Sequence, residues 1–114
     1  MSNAYVLEKT KDTTNDIWKI TGISRLVIRQ ICGLAARYGV GRLILFGSRA
    51  RGDFRRESDI DLAASGGDIA LFRLALEEET DTLLTYDVVN LDLHLKQGFL
   101  KMIETEGIVL YEKI

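Results

Sequence analysis

The fold of this chain is decided by the stretch between Gly47 and Asp61, which reads GSRARGDFRRESDID. A short β-branched and apolar run, 42–46, precedes it and residues 58–64 alternate weakly at its end, so it is predicted to join two strands. Asp59 and Asp61 lie two residues apart on the second strand, so their side chains leave the same face with Cα atoms about 6 to 7 Å apart. Like charges that close repel unless a cation lies between them, and Mg²⁺ prefers carboxylate oxygens. The pair therefore predicts a metal site, with a solvated pair at a strand end as the alternative.

A second group of polar residues opens the same stretch. Gly47 and Ser48 lie where the first predicted strand ends and a turn or helix begins, which is where free backbone N–H groups can bind a phosphate. Ser48 adds a hydroxyl donor, and Arg49 and Arg51 are predicted to neutralise phosphate charge through bidentate contacts. One loop and one acidic pair therefore predict both halves of a metal-nucleotide site.

The helices and strands on either side of this stretch are predicted from hydrophobic periodicity and from capping residues. Strands that alternate with helices predict an α/β layer, and residues 1–20, which show no sustained period, predict an N-terminal arm of unknown role. The predicted elements are a helix capped by Ser24 and ended by Gly39, strands at 42–46 and 58–64, a helix at 68–80, a strand at 83–91, a last helix capped by Asp92 and ended by Gly107, and a short apolar segment at 108–111.

The composition excludes several classes of protein. A chain of 114 residues with 46% hydrophobic and 28% charged residues is predicted to fold as one small domain. No apolar run is long enough to span a membrane and no secretory signal opens the chain, so a cytoplasmic location is predicted. A net charge of −2 argues against a nucleic acid as a direct ligand. Because Cys32 and His94 are the only residues of their types, carboxylates remain as the metal ligands.

The stretch resembles the G-S-x10-D-x-D signature of the nucleotidyltransferase superfamily related to DNA polymerase beta. It is most similar to the minimal nucleotidyltransferases, which share the phrases LFGSRARG and SDIDLA and resemble the later YDVV and IETEGIVLYE. The resemblance covers about residues 24–112. It implies an α+β fold in which helices pack on a small mixed β-sheet, with the nucleotidyltransferase domain at 21–114.

The resemblance also implies roles for individual residues. The third carboxylate of the family corresponds to Asp87, with Asp92 as the nearest competitor and a helix cap as the other interpretation of Asp92. On the two-metal template, Asp59 and Asp61 bridge two Mg²⁺ ions and Asp87 holds the ion that activates the attacking hydroxyl. ATP is then the substrate, and Gly47 and Ser48 hold its β- and γ-phosphates.

Minimal nucleotidyltransferases often serve as antitoxins beside a small helical ribonuclease of the HEPN type, and some transfer AMP to a tyrosine of that partner. The resemblance therefore implies a protein adenylyltransferase, with the acceptor supplied by a folded partner or held by a second copy of this chain in a homo-oligomer. Two alternatives stay open: an antitoxin that acts by binding alone, and an enzyme that nucleotidylates a small molecule.

Overall fold

The computed structural model describes residues 3–4 and 17–113 and arranges five strands in one mixed sheet. The strand order is β1-β5-β2-β3-β4; β3 and β4 pair in parallel, whereas the other neighbouring strands are antiparallel. The predicted mixed sheet is therefore confirmed. The strands are β1 Asn3–Ala4, β2 Arg42–Phe46, β3 Ile60–Ser65, β4 Tyr86–Asn90 and β5 Ile108–Lys113.

Helices connect the strands and begin where the sequence supplies caps. The Ser24 side chain accepts a hydrogen bond from the Val27 amide at 3.2 Å, and Asp68 accepts one from the Leu71 amide at 3.1 Å, so the predicted Ser24 cap is confirmed. A short helical segment at 17–21 precedes the first of these helices. The helices are α1 Arg25–Arg37, α2 Ser48–Arg51, α3 Ile69–Glu79 and α4 Gln97–Glu106.

The two faces of the sheet pack against hydrophobic clusters of different size. One face packs against α1 and α3 in the larger core cluster. The other face packs against α4 in a smaller cluster. Since burial of one large aliphatic side chain contributes about 1.5–3 kcal/mol, most of the stability lies on the first face. The smaller cluster is built on Ile44, Phe46, Ala63 and Ile103.

The predicted helix cap at Asp92 is wrong. The last helix, α4, begins at Gln97, with Lys96 in the cap position. Asp92 instead accepts a hydrogen bond from the Gly66 amide at 2.8 Å, and its own amide bonds the Asn90 side chain in a turn. The Asp92 carboxylate therefore links the turn after β4 to the turn after β3, and for this reason it does not cap a helix.

The strand that carries the acidic pair begins later than predicted. β3 starts at Ile60 rather than at residue 58, so Asp59 lies immediately before the strand, and β4 starts at Tyr86 rather than at residue 83. The Ile60 amide still bonds the Thr85 carbonyl at 2.9 Å, so extended pairing continues one residue beyond β4. Asp59 keeps its place beside the strand ends.

Part of the predicted N-terminal arm packs into the core. Ile17 joins the larger cluster, and Thr21 is fully buried with its hydroxyl bonded to the Ile17 carbonyl at 2.7 Å. Residues 3–4 pair with β5, and the rest of the arm lies outside the described residues. Within the described ranges, no helix combines the length and the apolar character needed to cross a membrane.

Candidate functional site

Strand register brings two of the predicted site aspartates side by side. Phe46 of β2 lies opposite Asp61 of β3, and Asp61 lies in register with Asp87 of β4. Alternation along β3 and β4 directs both carboxylates to the face that carries Ala63 and Val89, which is the face covered by α4. Asp61 is half-buried, whereas Asp87 is exposed. This face therefore carries a pair of accessible carboxylates from neighbouring strands.

Asp59 completes the group at the start of β3. Its side chain is exposed, and its Oδ1 atom accepts a short hydrogen bond from the Thr85 hydroxyl. Thr85 precedes Asp87 by two residues, and the extended backbone turns both toward one side. Sequence reasoning missed Thr85, although the same period-two spacing that pairs Asp59 with Asp61 would have found it. Asp59, Asp61 and Asp87 are called the three aspartates below.

The three aspartates repel one another. Burial raises the pKa of the Asp61 carboxyl above its ordinary value, the negative charges of Asp87 and Asp59 raise it further, and Arg51 and Arg49 oppose the shift. A bound cation would remove this repulsion, and carboxylate oxygens are ligands that Mg²⁺ prefers. The chemistry of the donor set and the strand register therefore fit a divalent cation.

The side chains do not yet converge on one point. Within residues 3–4 and 17–113, no three acidic, histidine or cysteine side chains stand in a metal-ligand arrangement. The Thr85 hydroxyl bonds only the Oδ1 atom of Asp59, so the second carboxylate oxygen keeps its lone pairs for a cation.

Gly47 brings the backbone against the Asp61 carboxylate. Its φ of 78° and ψ of −159° lie in a region that is almost confined to glycine. A Cβ at this position would overlap the Asp61 Oδ2 atom and lie 3.1 Å from Cγ. The first helical hydrogen bonds of α2 run from Ala50 and Arg51 to the Gly47 carbonyl, so the Ser48 and Arg49 amides precede the hydrogen-bonded turn. The predicted phosphate loop therefore adjoins the three aspartates.

Arg49 does not lie where a phosphate contact requires it. Its side chain is only 2% exposed, and burial lowers the pKa of its guanidinium. Nη1 donates to the Thr21 carbonyl at 2.8 Å, Nε to the Ser58 carbonyl at 2.9 Å and Nη2 to the Arg56 carbonyl at 2.9 Å. The guanidinium also stacks over Phe54, 4.8 Å from the ring centre. Because its nitrogens already bond backbone carbonyls, the predicted Arg49–phosphate contact is not supported.

Arg51 remains accessible. Its guanidinium bonds Asp53 at 3.3 Å and Glu106 at 3.2 Å on the surface of the protein. Exposed ion pairs of this kind contribute about 0–1 kcal/mol, so a phosphate can replace them at small cost. Of the two arginines predicted to contact phosphate, the structure leaves Arg51 free to do so.

The two candidates for a third carboxylate are well separated. Asp87 is in register with Asp61 near the start of β4, whereas Asp92 follows the end of β4 and bonds Gly66, which follows the end of β3. Because β3 and β4 are parallel, these positions lie at opposite ends of the same strand pair. The geometry therefore favours Asp87.

Comparison with known proteins agrees with this architecture. The model of the family described as polymerase beta, nucleotidyltransferase, matches residues 29–114. A solved structure of a toxin-antitoxin with AMP-PNP is 26% identical with a TM-score of 0.58, and the match covers 75% of this chain and 73% of that one. A minimal nucleotidyltransferase is 30% identical with a TM-score of 0.58, covering 71% and 86%. A variant of the MntA-HpeT toxin-antitoxin is 25% identical with a TM-score of 0.58, covering 75% and 72%.

No curated protein matches the chain. The family match nevertheless includes Gly47 and the three aspartates, and it extends over most of the sequence. The chain therefore belongs to the polymerase beta nucleotidyltransferase family.

Proposed function

We propose that this protein transfers AMP from ATP to a hydroxyl group on a partner protein, with a tyrosine as the acceptor, and that it is the antitoxin of a pair with a small helical HEPN-type toxin. The observation that carries the proposal is the in-register pair Asp61 and Asp87 beside the Gly47 backbone. A cation site and a phosphate loop within one corner are what transfer of a nucleoside monophosphate requires.

The three aspartates would hold divalent metal, with two Mg²⁺ ions as the family template. Bound there, the metal would lower the pKa of the attacking hydroxyl and neutralise charge on the phosphates. Asp61 is the central ligand in this proposal because it lies between Gly47 on one side and Asp87 on the other.

The residues of the chain itself orient the substrates. Gly47 and Ser48 would hold the β- and γ-phosphates, and Arg51 would leave Glu106 to offset the charge of the leaving group. The acceptor oxygen bonds to the α-phosphorus while the bond from that phosphorus to the bridging oxygen breaks. AMP is thereby joined to the acceptor, pyrophosphate leaves and the hydroxyl proton is released to solvent. Asp87 is exposed on the edge strand, which leaves its side of the site open to an acceptor.

The family relatives support a protein partner. Two of the similar structures are toxin-antitoxin assemblies, and one of them contains AMP-PNP, an analogue of ATP. A second candidate function is an antitoxin that acts by binding alone. It draws support from the hydrogen bond by which the Thr85 hydroxyl occupies one oxygen of the Asp59 carboxylate.

Mass spectrometry distinguishes these functions. The protein is incubated with Mg-ATP and the product of the neighbouring gene, and transfer should add one or more AMP masses to that partner. Asp59→Asn and Asp87→Asn should add none, whereas Asp92→Asn, which alters a carboxylate outside the site, should retain transfer. A stable complex in which the partner gains no mass, together with equal neutralisation of the partner's toxicity by all variants, would establish the binding-only antitoxin. Modification of a small hydroxylated compound in the absence of any partner would contradict both antitoxin functions.

A further inference from the structure

The loop that leads into Asp59 is held by one buried side chain. Residues 53–59 connect α2 to β3, and the Arg49 guanidinium bonds the carbonyls of Arg56 and Ser58 within this loop. The Ser58 carbonyl belongs to the peptide group that immediately precedes Asp59. The hydrogen bond from Arg49 Nε to this carbonyl, at 2.9 Å, therefore fixes the backbone at the point where Asp59 leaves it.

The same guanidinium reaches a second segment of the chain. Nη1 bonds the carbonyl of Thr21, a residue that is itself fully buried and whose hydroxyl bonds the backbone on both sides. At Gly22 an added Cβ would collide with the Phe54 ring and approach Arg49 Nη1 to 3.0 Å. Residues 17–23 therefore form a wall against which Arg49 and Phe54 pack. These residues precede the region matched by the family model.

Only an arginine can make this set of contacts. Its planar fork carries donors on three separate nitrogens, whereas the three donors of a lysine share one nitrogen and the two donors of a side-chain amide share one nitrogen. Burial of a guanidinium is costly unless its donors are satisfied, and here they bond carbonyls while the ring of Phe54 covers one face. The arrangement is therefore a fixed junction between the wall and the loop.

We propose that Arg49 is a positioning residue that sets the location of Asp59 by joining the loop 53–59 to the wall formed by residues 17–23. The inference rests on the proposed role of Asp59 as a metal ligand. It reassigns Arg49 from a phosphate contact to the support of a ligand, and it makes the segment before the family match a part of the site.

A double-mutant cycle on the full chain tests the coupling, with Mn²⁺ alone as the probe and its affinity measured by calorimetry. Arg49→Gln should weaken Mn²⁺ binding by about 10-fold or more, as loss of a group that orients a metal ligand does. In an Asp59→Asn background the same change should have an effect of less than about 2-fold, because the residue through which Arg49 acts is already disabled. Arg37→Gln, which removes an exposed arginine paired with Glu79, is the matched control and should leave Mn²⁺ affinity unchanged.

Limited trypsin digestion gives a second measurement that does not depend on metal. Arg55 and Arg56 are exposed in the loop, and cleavage there should be slow in the native protein and faster in Arg49→Gln at a temperature where both remain folded. If Arg49→Gln does not fold, Phe54→Ala takes its place, because Phe54 is only half-buried and its loss uncovers one face of the same guanidinium.

The outcomes separate this inference from the proposed function. Equal weakening of Mn²⁺ binding by Arg49→Gln, or by its Phe54→Ala substitute, in the wild-type and Asp59→Asn backgrounds would overturn the inference, and so would an unchanged affinity in the wild-type background. If Asp59→Asn alone leaves Mn²⁺ binding intact, the proposed metal role of Asp59 fails, and the inference fails with it. Coupled losses together with faster cleavage of the loop would support it.

Discussion

Replacing Gly47 with alanine tests how closely the backbone must approach the Asp61 carboxylate. Two separate effects are expected. The backbone angles of Gly47 lie in a region that costs other residues about 1–3 kcal/mol, and the new Cβ would overlap Asp61 Oδ2. Since real Cβ atoms keep at least 3.0 Å from other heavy atoms, the carboxylate must move by about 1 Å.

The magnitudes follow from these two effects. At about 4 °C per kcal/mol for a domain of this size, backbone strain should lower the melting temperature of Gly47→Ala by about 4 to 12 °C. Displacement of the central aspartate should weaken Mn²⁺ binding by about 10- to 100-fold, and a misplacement of about 1 Å can reduce the rate of transfer by about 100-fold.

Two other glycines provide matched controls. Gly52 has a φ of 92° but no atom within 4 Å of an added Cβ, so Gly52→Ala carries backbone strain without displacing Asp61. It should lose about 1–2 kcal/mol of stability and retain Mn²⁺ affinity. Gly98 lies within α4 and also has no atom within 4 Å, so Gly98→Ala should gain about 0.5–1 kcal/mol.

Calorimetric titration with Mn²⁺ and thermal unfolding followed by circular dichroism measure both effects on the same samples. The reasoning is refuted if Gly47→Ala loses stability as Gly52→Ala does and yet binds Mn²⁺ with wild-type affinity. In that case the close approach of Gly47 to Asp61 would have no bearing on the site.

Three further substitutions address single residues of the site. Asp87→Asn should abolish AMP transfer at a near-native melting temperature, whereas Asp92→Asn should retain transfer and lose about 1 kcal/mol or less, since asparagine still accepts from Gly66; the opposite pattern would reverse the two assignments. Asp61→Asn should raise the melting temperature of the metal-free protein at neutral pH, because the raised pKa of Asp61 means that its ionised form destabilises the fold. This gain in melting temperature should vanish below about pH 3.8, where the Asp61 carboxyl is protonated in both the folded and the unfolded state. A gain that persists at that pH would contradict the electrostatic cause. Arg51→Gln should change the unfolding free energy by less than about 1 kcal/mol while weakening Mg-ATP binding in calorimetry, and unchanged affinity would remove Arg51 from the site.

The sequence predicts those parts of the site that depend on the period of a strand. Asp59 and Asp61 lie close together because they are two residues apart, and the predicted strands and helices occur in the predicted order, to which the structure adds β1, the helical segment at 17–21 and α2. The choice of Asp87 came from resemblance to a family, and the strand register now gives it a physical basis. The two-residue period of a strand and the family resemblance are sufficient to predict these positions, because both concern residues close to one another in a regular element.

Other parts depend on contacts that no local pattern contains. Arg49 follows a glycine and a serine, as a phosphate-binding residue would, yet its partners are the carbonyls of Thr21 and Ser58. Because every residue has a backbone carbonyl, such partners leave no signal in the sequence. Asp92 precedes a stretch with helical periodicity, but its carboxylate accepts a hydrogen bond from the Gly66 amide, which lies in a turn distant in sequence. In both cases the tertiary fold provides a partner that outcompetes the local one.

The parallel joint between β3 and β4 has a consequence for the order in which this protein is assembled. Two parallel strands cannot be joined by a hairpin, so the chain crosses over through α3 between them, and β4 pairs with β3 only when residues 66–85 close into a loop. Closing so long a loop costs entropy that is recovered only when the distant strands pair, which makes such contacts late events in folding. A chain in which β4 has not yet paired therefore already carries Asp59 and Asp61 at the start of β3, but it gains the third carboxylate of the proposed cation site only when Asp87 arrives beside Asp61.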